Sequence, residues 1–454
     1  MGIGRFGGGL GAIRHLLRHG ARVKATDRLD AEALGAVRSD LEVLAAQTGR
    51  LELRLGGHDP EDFRTADLVV ANPAVPAPWR HPCLQAAREA DVPITSEIRL
   101  AIDALPGRRF VGVTGSVGKS STAAMIHHAL AALGVPTALG GNIGGSLLED
   151  PDRVPAGAWV VLELSSFMLH WLSEDASPWS PDLAVLTTIR PNHLDWHLDV
   201  AHYVRSKAAI LGSDGLAPLI TDFDEGDPAA AAAGAEIAGG WWRTPSRRFR
   251  PLLAELDPDA ITLGVPGSHQ RRNARLALAA VAAIHRLDDR PAIARDDLRR
   301  LLGTFPGLPH RLAEVPAPSN ADVRFIDDSK ATTPEATLLA VDSLGDASRI
   351  HLIAGGHDKG ADLGPIAVLA PSLAGLYAIG ATATRLASHP KAILSGTIRQ
   401  AFADLRSRLR TGDIVLLSPG CASWDQFRDY RARGTAFADL VNSLADGSDP
   451  TGQS

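Results

Sequence analysis

Three α/β domains, each built on a parallel sheet flanked by helices, are what this sequence predicts, and three observations carry the prediction. Short apolar runs repeatedly break into loops rich in Gly, Ser, Asn, Asp and Lys, followed by helical patterns. One stretch, Arg109 to Thr122, passes from an apolar run through glycines into Lys-Ser-Ser. The chain has 454 residues, enough for about three domains at ~150 residues each. Breaks at Pro106-Gly107 and at Phe305-Pro306-Gly307 set expected domains of 1–105, 106–304 and 305–454.

The first domain reads as Rossmann-like. Residues 2 to 11 contain G-x-G-x-x-G, with Gly4, Arg5 and Phe6 in the turn, and lead into a helical pattern over Ala12 to His19. A strand, Ala21 to Asp27, follows, and Asp27 at its end is placed to accept from ribose hydroxyls. The motif alone is weak evidence, and the strand that should precede Gly2 is missing. Asp67 to Ala71 reads as a further strand, ending in Asn72-Pro73-Ala74 at the ligand-facing edge.

The central domain reads as a parallel sheet of the P-loop ATPase type. Phe110 to Val113 supply a strand, and Gly115 and Gly118 permit backbone torsions that side chains forbid. The loop opens a helix, so its amides and partial positive charge face phosphate, while Lys119 adds a full charge and Ser120 a Mg2+ ligand. The spacing is the shorter T-G-S-x-G-K-S form, and ATP or GTP is the expected ligand. Trp159 to Leu164 is a strand ending in Glu163-Leu164-Ser165-Ser166, where a carboxylate either holds Mg2+ or caps the next turn. Leu183 to Thr188 is a third strand, followed by His193, Asp195 and His197, which alternate and could reach a metal, although zinc spacing is absent. Lys207 lies on the next helix, Val200 to Leu211. Asp224 to Pro251, with Trp241-Trp242 and several arginines, reads as a solvated variable loop more readily than as a nucleic-acid surface. His269 and Asn273 precede an apolar helix, Ala274 to His285, at whose start a base or phosphate could be contacted.

Phe305 to Arg311 reads as a rigid hinge carrying one cation. Three strands follow, Val323 to Ile326, Arg349 to Ala354 and Asp413 to Leu417, each ending in polar residues that include Asp328, Lys330, Thr332, Lys359 and Ser423. In a Rossmann-like parallel sheet that edge binds ligand.

A net charge of -6 gives no overall basic field, so nucleic acid is not an expected partner. Two cysteines, Cys83 and Cys421, make no disulfide framework and suit a reducing compartment. The longest apolar stretch, Ala158 to Leu172, is interrupted by Glu163, two serines and His170, so neither a membrane span nor a secretory signal is expected. A cytoplasmic monomer is the expectation.

Taken in order, T-G-S-x-G-K-S, G-G-N-I-G, E-L-S-S-F, N-H-L-D, F-x-G-L-P-H-R, D-D-S-K-A-T, G-G-x-D-K and L-S-P-x-x-A-S-x-D-Q-F resemble the Mur ligase family across nearly the whole chain. The resemblance is nearest to members that add glutamate to UDP-N-acetylmuramoyl-L-alanine. It implies an acyl phosphate made from ATP and the substrate carboxylate, which glutamate's amine then resolves. It also implies two Mg2+ ions, with Ser120 and Glu163 at one, and His193 with Lys207 at the other, Lys207 aligning with a lysine that the family carbamylates. Lys119, His193, Lys207 and Asn142 become the catalytic set. Gly115, Ser116, Gly118, Lys119, Ser120, Ser121, Asn273, Arg311 and Asp328 would bind ATP. Gly4, Arg5, Phe6, Asp27, Asn72, Asn142 and Ser165 would face the UDP substrate, and Thr332, Lys330, Lys359, Ser423, Trp424 and Tyr430 glutamate. The chain departs from the family pattern at Val117, where Asn is usual, at Asn192, where Asp is usual, and at Trp424, where a smaller apolar residue is usual. Other readings are the same ligation with L-glutamate, a different amino acid, an NAD-dependent oxidoreductase built on the first glycine motif, or a nucleotide-binding protein without turnover.

Overall fold

The computed structural model describes residues 1–4, 8–174, 177, 179–190, 192–212, 217–222, 256–265, 267–316 and 322–444. Arg5, Phe6 and the loop Asp224 to Pro251 lie outside the described residues. The chain divides into two compact units, one of Met1–Leu263 with Arg271–Thr304, the other of Gly264–Gln270 with Phe305–Ser454.

The first unit opens with two parallel strand pairs. Strand β1 (Val23–Asp27) pairs with β2 (Leu51–Leu55), and β3 (Val69–Ala71) pairs with β4 (Ile94–Ser96). No strand precedes the first helix among the described residues, as expected, but Met1 and Gly2 make backbone bonds there. The Met1 amine donates to Val70 O at 2.9 Å, Asn72 N to Met1 O at 3.0 Å, and Gly2 N to Thr26 O at 2.8 Å. These two residues therefore bond to both pairs. The helix Gly8–Arg18 buries Leu10, Ile13 and Leu17 against Ala25, Leu41 and Leu51.

The second sheet of this unit is parallel, in the order β6 (Thr137–Gly141), β7 (Trp159–Glu163), β5 (Arg109–Thr114), β8 (Leu183–Leu186), β9 (Leu219–Thr221). Strands β7 and β8 are buried at every position, on both faces, and both are rich in apolar residues. Leaving β5, the chain passes through the helix Lys119–Ala132 to β6, beyond β7. From β7 it passes through the helix Ser166–Glu174 to β8, on the other side of β5. The connections diverge at the C-terminal end of β5, where an open α/β sheet forms its crevice. Each fully buried Val, Leu or Ile here contributes about 1.5–3 kcal/mol. The following helix runs from Ser268 to Leu287, longer than Ala274 to His285, because the polar residues Gln270 to Asn273 are compatible with helix as well.

In the second unit the order is β10 (Ala313–Val315), β11 (Arg324–Asp327), β15 (Ile414–Leu417), β12 (Ile350–Gly355), β13 (Gly375–Ile379), β14 (Ala392–Gly396). All neighbours are parallel except β10 and β11, an antiparallel edge the sequence did not disclose. Alternate residues serve opposite faces: Ile326, Leu352, Leu376 and Leu416 enter one core, and Phe325, Ile353, Tyr377 and Val415 the other. Helices thus cover both faces of the sheet. Cys83 and Cys421 are both free and buried. Among the described residues no helix is long and apolar enough to cross a membrane.

Candidate functional site

The loop after β5 is fixed by its glycines and by the residues that follow β8. Gly115 (φ 145°) and Gly118 (φ 88°) both lie at positive φ, and a Cβ at either would collide, with Thr187 Oγ1 and Asn273 Oδ1 respectively. Ser116 N donates to Thr188 O at 2.7 Å, and Val117 N to Thr188 Oγ1 at 3.1 Å. Ser116 Oγ meets Tyr203 Oη at 2.6 Å and accepts from Arg190 N at 2.8 Å. Lys119 Nζ donates to Ser116 O at 3.0 Å, so it arches back over the loop. Ser120 and Ser121 are buried in the first helical turn, and Asn273 is buried against Gly118. Val117, in place of the usual Asn, is exposed at the tip.

Beneath the loop lies Lys207, buried, with Nζ donating to Gly115 O at 2.9 Å and standing 4.8 Å from the Tyr203 ring centre. Burial, reinforced by the Lys119 charge and opposed by that of Glu163, holds its pKa well below the ordinary lysine value. Tyr203, one helical turn before Lys207, has its phenol pushed up to about 12 by burial. This tyrosine was missed from sequence, although its i, i+4 spacing from Lys207 places both on one helix face.

Glu163, at the end of β7, is buried; Asn142 Nδ2 donates to its Oε1 at 3.2 Å and Asn142 N to its main-chain O at 2.9 Å. The other carboxylate oxygen, Oε2, is buried with no hydrogen-bond partner. A buried acceptor left open in this way fits a cation ligand.

The alternation of His193, Asp195 and His197 does not converge. His193 is exposed, at φ 54°, with its ring 5.0 Å from that of Phe167. His197 is buried, with Nε2 2.9 Å from Ser166 Oγ and Nδ1 3.1 Å from His202 Nδ1. Burial, then the neighbouring His202, pulls its pKa down to about 3. Ser165 Oγ accepts from Met168 N at 3.1 Å and so caps the helix that follows. Among the described residues no group of three or more His, Cys, Asp or Glu side chains gathers as a metal cage.

In the first domain both oxygens of Asp27 accept from backbone, from Gly4 N at 2.9 Å and Leu29 N at 2.8 Å. Asn72 is turned inward, donating to Gly2 O at 2.9 Å and accepting from Ala74 N at 2.9 Å. These residues shape the turn, and lone pairs on Asp27 are left for a ligand. His269, grouped with Asn273 by sequence, belongs to the other unit, where its Nδ1 meets Ser343 Oγ at 3.1 Å.

The ends of β11, β12 and β15 bring the second unit's polar loops together. Asp328 Oδ2 accepts from Ser418 Oγ at 2.7 Å and Oδ1 from Leu312 N at 3.2 Å. Arg311 follows His310, which bonds Asp327 Oδ2 at 2.6 Å; His310 and Leu312 sit at φ 62° and 47°. Lys330 Nζ lies 5.2 Å from the Tyr430 ring centre and Lys359 Nζ 4.6 Å from that of Trp424. Ser423 is buried, and Thr332 is half-buried. Sequence missed Arg433, which is buried and gives Nε to Ser329 Oγ at 2.9 Å, Nη2 to Ser329 O at 2.8 Å and Cys421 O at 3.1 Å, and Nη1 to Ala422 O at 3.2 Å. It clamps the loop after β11 to the loop after β15.

Burial pushes the Asp328 pKa up to about 7, against the hydrogen bond from Ser418. The folded state therefore holds this proton where the unfolded chain has lost it, and stability falls as pH rises towards the folded pKa. Between about pH 4 and about pH 7, the melting temperature of the wild type should fall relative to that of Asp328→Asn, and the difference should level off above that. Parallel profiles would show that Asp328 does not titrate in this window.

Residues 113–225 match the Mur ligase middle domain. The chain is 36% identical to a UDP-N-acetylmuramoylalanine–D-glutamate ligase from Symbiobacterium thermophilum, over 95% of either chain. It is 38% identical to a protein of the same name from Sphingopyxis alaskensis, over 83% of this chain and 84% of that one. Among solved structures it is similar to a UDP-N-acetylmuramate–alanine ligase from Thermotoga maritima, with a TM-score of 0.56, 17% identity and 98% of both chains covered. A folylpolyglutamate synthase from Mycobacterium tuberculosis complexed with ADP gives a TM-score of 0.53 at 14% identity, over 78% of this chain and 94% of that one.

Proposed function

The chain belongs to the Mur ligase family, and on that premise we propose that it joins D-glutamate to UDP-N-acetylmuramoyl-L-alanine in an ADP-forming, ATP-dependent ligation of peptidoglycan precursor synthesis. The observation that carries the site is the buried amine of Lys207 under the phosphate loop, with Lys119 and Glu163 as its charged neighbours. The substrate carboxylate attacks the γ-phosphorus of ATP, the bond to the β-phosphate oxygen breaks, and ADP leaves. Glutamate's amine then attacks the acyl carbon, inorganic phosphate departs, and the amine gives up a proton. Lys119 and the loop amides neutralise charge on the transferring phosphoryl group.

Mg2+ fits the open Oε2 of Glu163 and the hydroxyl of Ser120, with a second ion assigned to His193 and Lys207. When bound, the ions draw charge from the phosphate oxygens. Lys207 suits carbamylation: a neutral amine adds CO2, releases a proton and becomes a carboxylate-bearing ligand. Asn142 and Ser165 line the acyl-phosphate position. Asn273, Arg311 and Asp328 address ATP, and Gly4, Arg5, Phe6, Asp27 and Asn72 the uridine nucleotide. Thr332, Lys330, Lys359, Ser423, Trp424 and Tyr430 form the glutamate site. Three domains, 1–105, 106–304 and 305–454, divide this work among uridine nucleotide, ATP and glutamate, and the enzyme acts on small molecules in the cytoplasm as a monomer.

The test is phosphate release from ATP with UDP-N-acetylmuramoyl-L-alanine, run with D-glutamate, with L-glutamate, with other amino acids and with none. Release with D-glutamate alone is expected. Release with L-glutamate alone, or with a different amino acid, overturns the substrate, and silence in every arm overturns the activity.

A further inference from the structure

Lys359 is an exposed lysine in the loop after β12, and it lies against an aromatic face. Its Nζ stands 4.6 Å from the ring centre of Trp424, whose own side is 51% exposed although it is the bulkiest of the side chains. The pairing is built from both sides. His357 N donates to Ala422 O at 2.8 Å, joining the Lys359 loop to the Trp424 loop, and the His357 ring lies 5.6 Å from the indole.

The carboxylates nearest in sequence are engaged elsewhere. Asp358 accepts from Arg385 Nη1 at 2.9 Å and from Gly360 N at 2.8 Å. Asp425 accepts from Ala381 N at 2.8 Å. Among the described residues no carboxylate pairs with Lys359, so its charge is available to an acid from outside the chain.

A lysine ammonium on a four-carbon stem samples many positions, and a rigid indole face attracts it through the ring quadrupole without neutralising it. We propose that Trp424 is a positioning residue: its indole holds the Lys359 ammonium where a carboxylate of the incoming dicarboxylic amino acid meets it. This rests on the assignment of Lys359 to glutamate. Trp424 thus acts through Lys359 and sets affinity for the acidic amino acid, leaving the phosphoryl-transfer step to other residues.

Steady-state kinetics of the full-length enzyme with Trp424→Ala, Trp424→Leu, Trp424→Tyr and Lys359→Ala provide the test. Trp424→Ala should raise the KM for glutamate about threefold to fivefold, with the KM values for ATP and the UDP substrate and the kcat held within about twofold. Trp424→Tyr, which keeps a π face, should restore most of the affinity, and Trp424→Leu, which keeps only apolar bulk, should not. A glutamate KM for Trp424→Leu equal to wild type, or equal rises in all three KM values for Trp424→Ala, would overturn the proposal. If Lys359→Ala raises the glutamate KM and Trp424→Ala does not, Trp424 alone loses its role. If Lys359→Ala leaves that KM unchanged, the assignment of Lys359 to glutamate fails and takes the proposal with it.

Discussion

Exchanging Lys207 for alanine should lower the ligation rate about a thousandfold while leaving a folded protein. The amine contributes little to the fold in proportion to its burial, because a desolvated lysine is held against its preference for water and bonds mainly to Gly115 O. Its depressed pKa gives the sign of a second measurement. The folded state releases this proton at a pH where the unfolded chain still holds it, so stability conferred on the wild type increases with pH. The alanine variant lacks that dependence and should be relatively more stable at low pH than at high pH. Depleting dissolved CO2 should slow the wild type and leave the variant at its baseline. Near-normal turnover of the variant would remove Lys207 from the reaction.

Exchanging Arg433 for methionine should cost about 3 kcal/mol or more of stability in denaturant unfolding. The guanidinium is buried and donates to four oxygens on two loops. Burial draws its pKa down to about 10, which still leaves it charged at neutral pH. Removing it strands Ser329 O and Cys421 O in a site that water does not reach, while Ala422 O keeps the bond from His357 N. Arg433→Lys keeps the charge and loses the fork, so it should fall between the two. A loss below about 1 kcal/mol for the methionine variant would mean that the two loops hold their shape without the clamp.

The elements that sequence disclosed are those whose signal is local. An apolar run ending in glycines and Lys-Ser-Ser can only be a strand, a turn and a helix start, and β5 with its helix follows. The strands ending at Glu163, Asp327, Gly355 and Leu417 were legible for the same reason. Side-chain direction was not. His193 and His197 lie four apart in one loop, yet one is exposed and the other is buried against Ser166. His269 and Asn273 share a helix and part to different units. Spacing says which residues are near in the chain, whereas these outcomes depend on packing partners about 30 to 75 residues away, such as Ser166 for His197 and Ser343 for His269. Arg433 escaped because its partners are main-chain oxygens, which no side-chain pattern announces. The bonds of Met1 and Gly2 to both strand pairs escaped because they are made by backbone alone.

Tyr203 and Lys207 hold the phosphate loop from a single helix, the first through Ser116 and the second through Gly115. The loop therefore acquires its shape during folding, before any nucleotide arrives. An anion that enters finds its donors already aimed, and the free energy it releases is not spent on freezing a floppy segment. Recognition at this end of the sheet is that of a mould, and whatever adaptation the reaction requires must come from elsewhere in the chain.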